Sequence, residues 1–201
     1  MRISLVSMTC RDGKLQQVAR LASSLAQLVE THLFMPALPG LSELLAKDVV
    51  HHPLGIFPEG GASWRKLLSM GNPWVHAEHA KRIRRVAPDL VHLLQPHPAH
   101  AMLVPLLGAP SCLSLPDGPS PTPPTRQDSS LREFLISRSV DMVDQLFLHE
   151  AALAELLHRQ GHPRERLSLV CPPDDGQATL EAYRHMLDRL SASSRFPTAQ
   201  A

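Results

Sequence analysis

Three cysteines in 201 residues are too few and too scattered for a disulfide framework. Cys10, Cys112 and Cys171 form no CxxC pair, which also excludes a thiolate zinc site. The expected setting is reduced and cytosolic. Also missing is any stretch near the roughly 20 apolar residues of a spanning helix. The opening MRISLVSMTC is too short an apolar run for a secretory leader and lacks a small-residue cleavage site after one. A net charge of only +1 gives no overall attraction for nucleic acid. The chain is therefore expected to be cytoplasmic, at most peripheral to a membrane, and without a nucleic-acid partner.

The common catalytic signatures are absent too. The first strand–helix turn, SMTCRDGK, holds neither the GxGxxG of a dinucleotide fold nor a P-loop. Its single glycine, Gly13, can open the helix and let a ligand approach the helix terminus. GxSxG is missing, and Cys10 reads more simply as a small buried thiol than as a nucleophile. The pairs His76/His79 and His97/His100 have the spacing that shares a helical face, yet no HExxH occurs. No metal and no cofactor is expected.

What the sequence does hold is a soluble globular composition, 43% hydrophobic and 19% charged, punctuated by 19 prolines. Short apolar runs at 3–8, 31–36, 48–54, 89–94, 110–116, 145–150 and 167–172 read as buried strands. Helical periodicity appears over 13–28, 41–46, 73–87, 100–108, 129–140, 151–160 and 178–192. A connection over 55–73 carries one helical turn near 64–69, and the proline-rich 117–125 is a surface loop. Strands alternating with helices predict a single doubly wound α/β domain over 1–192. Its sheet is mostly parallel and Rossmann-like, with about six or seven strands and helices on both faces. Residues 193–201 read as a frayed tail.

In such sheets ligands bind beyond the carboxyl ends of the strands, near the topological switch point. The stretch RVAPDLVHLLQPH (85–97) ends a buried strand on polar groups, so His92, Gln95 and His97 become candidate ligand contacts. Gly13 and Asp117, which also follow strand ends, are expected at the same edge. Separately, KRIRR (81–85) closes a helix that also carries Trp74, Val75 and Ile83. Its plain reading is a solvated helix end that complements the dipole. The sharper reading attaches Lys81, Arg82, Arg84 and Arg85 to anionic lipid headgroups.

The order of these pieces resembles the amino-terminal, acceptor-side domain of retaining GT-B glycosyltransferases. In that family a kPDvvH strand, a PvxtxHD strand, an aDxvxxS strand with its exLxxxG helix, and a kxxvvPNGvD strand follow one another. Here they correspond to Pro88-Asp89-Leu90-Val91-His92, to Pro110 through Asp117, to Val140-Asp141 through Gly161, and to Leu167 through Asp175. The resemblance covers roughly residues 1–175. It departs at three places: only Gly13 stands for the usual glycine pair, HD reads Pro116-Asp117, and vS reads Leu148-His149-Glu150.

The resemblance implies an acceptor-binding role for Gly13, His92, Gln95, His97 and Asp117, the acceptor being a sugar or a lipid-linked sugar. It names no general base, because the family histidine is replaced by Pro116. It also implies that a nucleotide-sugar-binding domain should begin about where this sequence stops. The stripe Leu180, Tyr183, Leu187 and Leu190 would then belong to a crossing helix, 178–192, that packs back on the first domain. Two expectations follow. One is a glycosyltransferase-like acceptor-side protein, inactive alone and working with a separate donor-binding subunit or other protein. The other is a non-catalytic scaffold or regulator that binds sugar, lipid or protein.

Overall fold

The computed structural model describes residues 1–8, 12–54, 72–115, 129–170 and 174–193. Seven strands run through them: β1 (Arg2–Val6), β2 (Glu30–Pro36), β3 (Val49–Leu54), β4 (Leu90–Leu93), β5 (Ser111–Ser114), β6 (Gln145–Leu148) and β7 (Leu167–Leu169). Each matches one of the short apolar runs, β1 and β2 starting one residue earlier, as expected for strands covered on both sides. All pairs are parallel, in the order β3-β2-β1-β4-β5-β6-β7. The chain thus winds outward from β1 to β3, returns to β4 on the other side of β1, and winds outward again. The switch point lies between β1 and β4.

The helices are α1 (Asp12–Ala26), α2 (Leu41–Leu44), α3 (Pro73–Arg85), α4 (His100–Leu103), α5 (Ser129–Met142), α6 (Ala151–Arg159) and α7 (Gly176–Ala192). The helix expected over 100–108 is shorter than its apolar pattern. After Leu103 it tightens into a 3-10 turn, Val104–Leu106, because Pro105 has no N–H to continue the α-helical ladder. The helical turn expected near 64–69 and the loop at 117–125 lie outside the described residues, as does the tail beyond Ser193.

Strand alternation divides the core in two. On the first face Ile3, Leu5, Leu33, Met35, Leu90, Cys112 and Phe147 meet α1 and α7. On the second face Val6, Phe34, Val91, Leu93, Leu113, Leu146 and Leu148 meet α3, α4 and α6. Helix α7 buries Leu180, Tyr183, Met186 and Leu190 against the first face, each a contribution of about 1.5–3 kcal/mol by area. Asp175 starts it by accepting the N–H groups of Gln177 and Ala178 at 2.9 and 3.1 Å. Gly176 lets it settle onto α1, since a Cβ there would lie 2.7 Å from Ser24 Cβ.

Candidate ligand crevice

The carboxyl edge is built where β1, β4 and β5 end side by side. Pairing continues just beyond the strands, with Leu94 N–H donating to the Val6 carbonyl and Ser7 N–H to that of Phe34, both at 2.9 Å. The chain then turns through Gln95, Pro96, His97 and Pro98 into α4. Gln95 is half-buried at the head of this turn. His97 is nearly buried: its Nδ1 accepts the Ala99 N–H at 3.1 Å, and its carbonyl accepts the His100 N–H at 3.0 Å. Its ring meets that of His100 edge-on, with centroids 5.9 Å apart. Gly13 lies in the first turn of α1, at the same edge. Asp117 lies outside the described residues. Thus Gly13, Gln95 and His97 share an edge, and His97 also caps its own turn.

The expectation that His92 lines the crevice is corrected. On β4, Leu90 and His92 point to the first face, and there α7 covers the histidine, leaving it 1% exposed. His92 Nδ1 hydrogen-bonds with the Tyr183 hydroxyl at 2.6 Å, and Nε2 with the Ser114 hydroxyl at 2.7 Å. Phe147 and Tyr183 enclose the ring edge-on. Burial, with His149 nearby, pushes its pKa down from the usual 6.5 to about 3, so the imidazole is neutral. Because both partners are hydroxyls, the chain of bonds can run in either direction.

A serine, a histidine and a third hydrogen-bonding group in line invite comparison with a nucleophilic triad. The comparison fails on charge. Burial holds the Tyr183 phenol well above its ordinary pKa, so the third member is neutral and cannot stabilise an imidazolium. Ser114 is itself buried. The arrangement fastens α7 to the sheet, and catalysis through His92 has no support.

Tyr183 is the residue whose role sequence reasoning missed. A signal was present: the chain has one tyrosine, set in a buried stripe, and its hydroxyl needs a buried partner. A lone histidine in a buried strand supplies one.

The four cations on α3 are all exposed. They lie in the second half of the helix, which runs from the crevice edge toward the start of β4. Arg82 reaches Glu78 at 3.4 Å and the Pro53 carbonyl at 3.3 Å. A shallow depression of about 320 Å³ is lined by Trp74, Val75, Glu78, His79 and Arg82, none of them a crevice residue. Among the described residues no group of three or more His, Cys, Asp or Glu is placed to hold a metal ion, and no helix is long and apolar enough to cross a membrane.

Strand order, parallel pairing and helices on both faces define the class: a single, doubly wound Rossmann-like α/β domain. By sequence, the chain matches no protein-family model and no curated protein. By structure it is similar to the UDP-GlcNAc 2-epimerase of Neisseria meningitidis bound to UDP-GlcNAc, with a TM-score of 0.58 and 11% identity over 100% of this chain and 55% of that one. The Methanocaldococcus jannaschii UDP-GlcNAc 2-epimerase gives 0.59 and 10%, over 96% and 52%. HepE of Anabaena, in complex with UDP and glucose, gives 0.55 and 13%, over 85% and 44%. The chain spans about half the length of these structures. At such identities the likeness establishes the fold, and the first two of these neighbours are UDP-GlcNAc 2-epimerases rather than the retaining glycosyltransferases of the sequence resemblance.

Proposed function

We propose that this domain is the acceptor-side half of a sugar-processing system, glycosyltransferase-like, that works opposite a donor-binding unit. The observation that carries the reading is the Gln95–His97 turn, which ends β4 beside the β1/β4 switch point, where open α/β sheets take their ligands. The Gln95 amide and the His97 imidazole would orient hydroxyls of a sugar or a lipid-linked sugar. Gly13 would let that ligand approach the start of α1, and Asp117 would accept from hydroxyls. These groups bind and orient. With His92 committed to Tyr183 and Ser114, no general base is assigned.

That commitment also favours a second reading, a non-catalytic sugar-, lipid- or protein-binding scaffold derived from the same fold. One experiment separates the two from a complete enzyme. The purified chain is titrated calorimetrically with UDP-GlcNAc and assayed for transfer and epimerisation. Neither binding nor turnover is expected. Micromolar affinity or measurable turnover without a partner would overturn the acceptor-side assignment. Affinity capture from the native host then decides between them: a co-purifying donor-binding unit that restores turnover supports the enzyme, and a partner that restores none supports the scaffold.

A further inference from the structure

Helix α3 buries His76, His79, Ala80 and Ile83 on one side. Opposite them Trp74, Glu78, Lys81 and Arg85 form a line at i, i+4, i+7 and i+11, with Arg82 and Arg84 on its flanks. Trp74 is 82% exposed, more than any other large hydrophobic residue among those described. Helix α4 packs against both α3 and α5, and α4 and α5 each add one more outward apolar side chain: Met102, 39% exposed, and Phe134, 61% exposed. Lone exposed apolar residues are ordinary, but one on each of three adjacent helices calls for an explanation.

Charge indicates what covers them. Lys81, Arg82, Arg84 and Arg85 face a single carboxylate on α3, that of Glu78, which pairs with Arg82. Helix α4 carries no acid, and the sequence of α5 adds two charges of each sign, Arg132, Glu133, Arg138 and Asp141. With the whole chain at +1, the positive band is local to α3. An indole beside a row of cations suits the boundary between headgroups and acyl chains, where aromatic rings settle and Lys and Arg meet lipid phosphates.

We propose that the outer face of α3, with Met102 and Phe134 beside it, docks on an anionic lipid bilayer. Trp74 enters the headgroup boundary while Lys81, Arg82, Arg84 and Arg85 hold the phosphates.

The test is co-sedimentation of the full chain with vesicles of phosphatidylcholine alone and of phosphatidylcholine mixed with phosphatidylglycerol, across a salt series. Binding is expected to the anionic vesicles and to weaken as salt rises. Replacing all four cations by Gln should lower the partition coefficient roughly tenfold or more. Trp74→Ser should lower it several-fold and abolish the blue shift of tryptophan emission on vesicle addition. All five side chains are exposed, so thermal melts of the variants should match the parent. Equal binding to both vesicle types, or unchanged binding by the four-Gln variant, would overturn the proposal. So would tighter binding to a short DNA duplex in the same salt series, which would assign the cations to nucleic acid.

Discussion

On the first face of the sheet His92 is sealed beneath α7 with both ring nitrogens engaged, by Tyr183 at 2.6 Å and Ser114 at 2.7 Å. On the second face His100 is fully buried at the start of α4, and among the described residues neither of its nitrogens has a hydrogen-bond partner. His76, His79 and His97 are buried on its side as well. Burial lowers the pKa of both residues, and His97 and His76 lower that of His100 further. The same residue type therefore acts oppositely on the two faces. His92 recovers its desolvation in two hydrogen bonds and ties a helix to the sheet; among the described residues no hydrogen bond does the same for His100. The second face, which also carries the exposed row of α3, is the less optimised side.

Acid should expose both histidines at once, and it is the largest effect expected. Unfolded, each takes a proton near its ordinary pKa of 6.5; folded, His92 resists until about 3, and His100 titrates well below 6.5. Between those limits the unfolded chain binds more protons, so stability is complete above 6.5 and falls as pH is lowered. Each such group contributes a slope of about 1.4 kcal/mol per pH unit. Urea melts at steps from pH 7.5 to 4.5 should show a steepening loss below 6.5. A flat profile would mean that neither imidazole is held neutral.

Two substitutions sharpen the contrast, because they should move stability in opposite directions. Tyr183→Phe leaves His92 Nδ1 buried without a partner and should destabilise by about 1–3 kcal/mol. His100→Leu removes two buried nitrogens that have no hydrogen-bond partner among the described residues, and should stabilise by about 1–2 kcal/mol. The second variant should also lose one histidine's share of the acid slope below pH 6.5. If His100→Leu destabilises instead, His100 has a partner in the folded protein and the two faces are alike.

The sequence made the scaffold readable and left the site hard to read, for physical reasons. All seven strands stood out because strands buried on both sides are continuous apolar runs bounded by turn residues. That same continuity hides which way a strand residue points. In LVHLL nothing local says that His92 faces α7 while its neighbours Val91 and Leu93 face the other helices. The partner that decides the matter, Tyr183, lies 91 residues away. The strand order became clear only in the structure, since apolar runs give the number of strands but not their neighbours. The α3 cations could be read in sequence because an exposed helical face keeps its period; that α3 runs away from the crevice edge became clear only from the direction of the helix relative to the sheet.

The smallest effect concerns the turn that carries the chain from the second face into β4. Ala87 follows the last turn of α3 with φ at 45°, the left-handed region, and its N–H donates to the Arg84 carbonyl at 2.9 Å. A left-handed residue just past a helix end is common, but it is usually glycine, because a Cβ there crowds the following carbonyl at a cost of about 1–2 kcal/mol. Pro88 prevents the helix from simply running on. Ala87→Gly relieves the crowding, while the greater freedom of glycine in the unfolded chain takes back roughly 0.5–1 kcal/mol. The net gain should be about 0.5–1 kcal/mol, a rise of roughly 1–4 °C in Tm for a domain of this size. Ala87→Val should move the other way and further, since a β-branched side chain tolerates this conformation least. Differential scanning calorimetry of the three proteins orders them directly, with Gly above Ala above Val. If Val matches Ala, the turn is not left-handed at residue 87, and the junction between the two faces carries no strain.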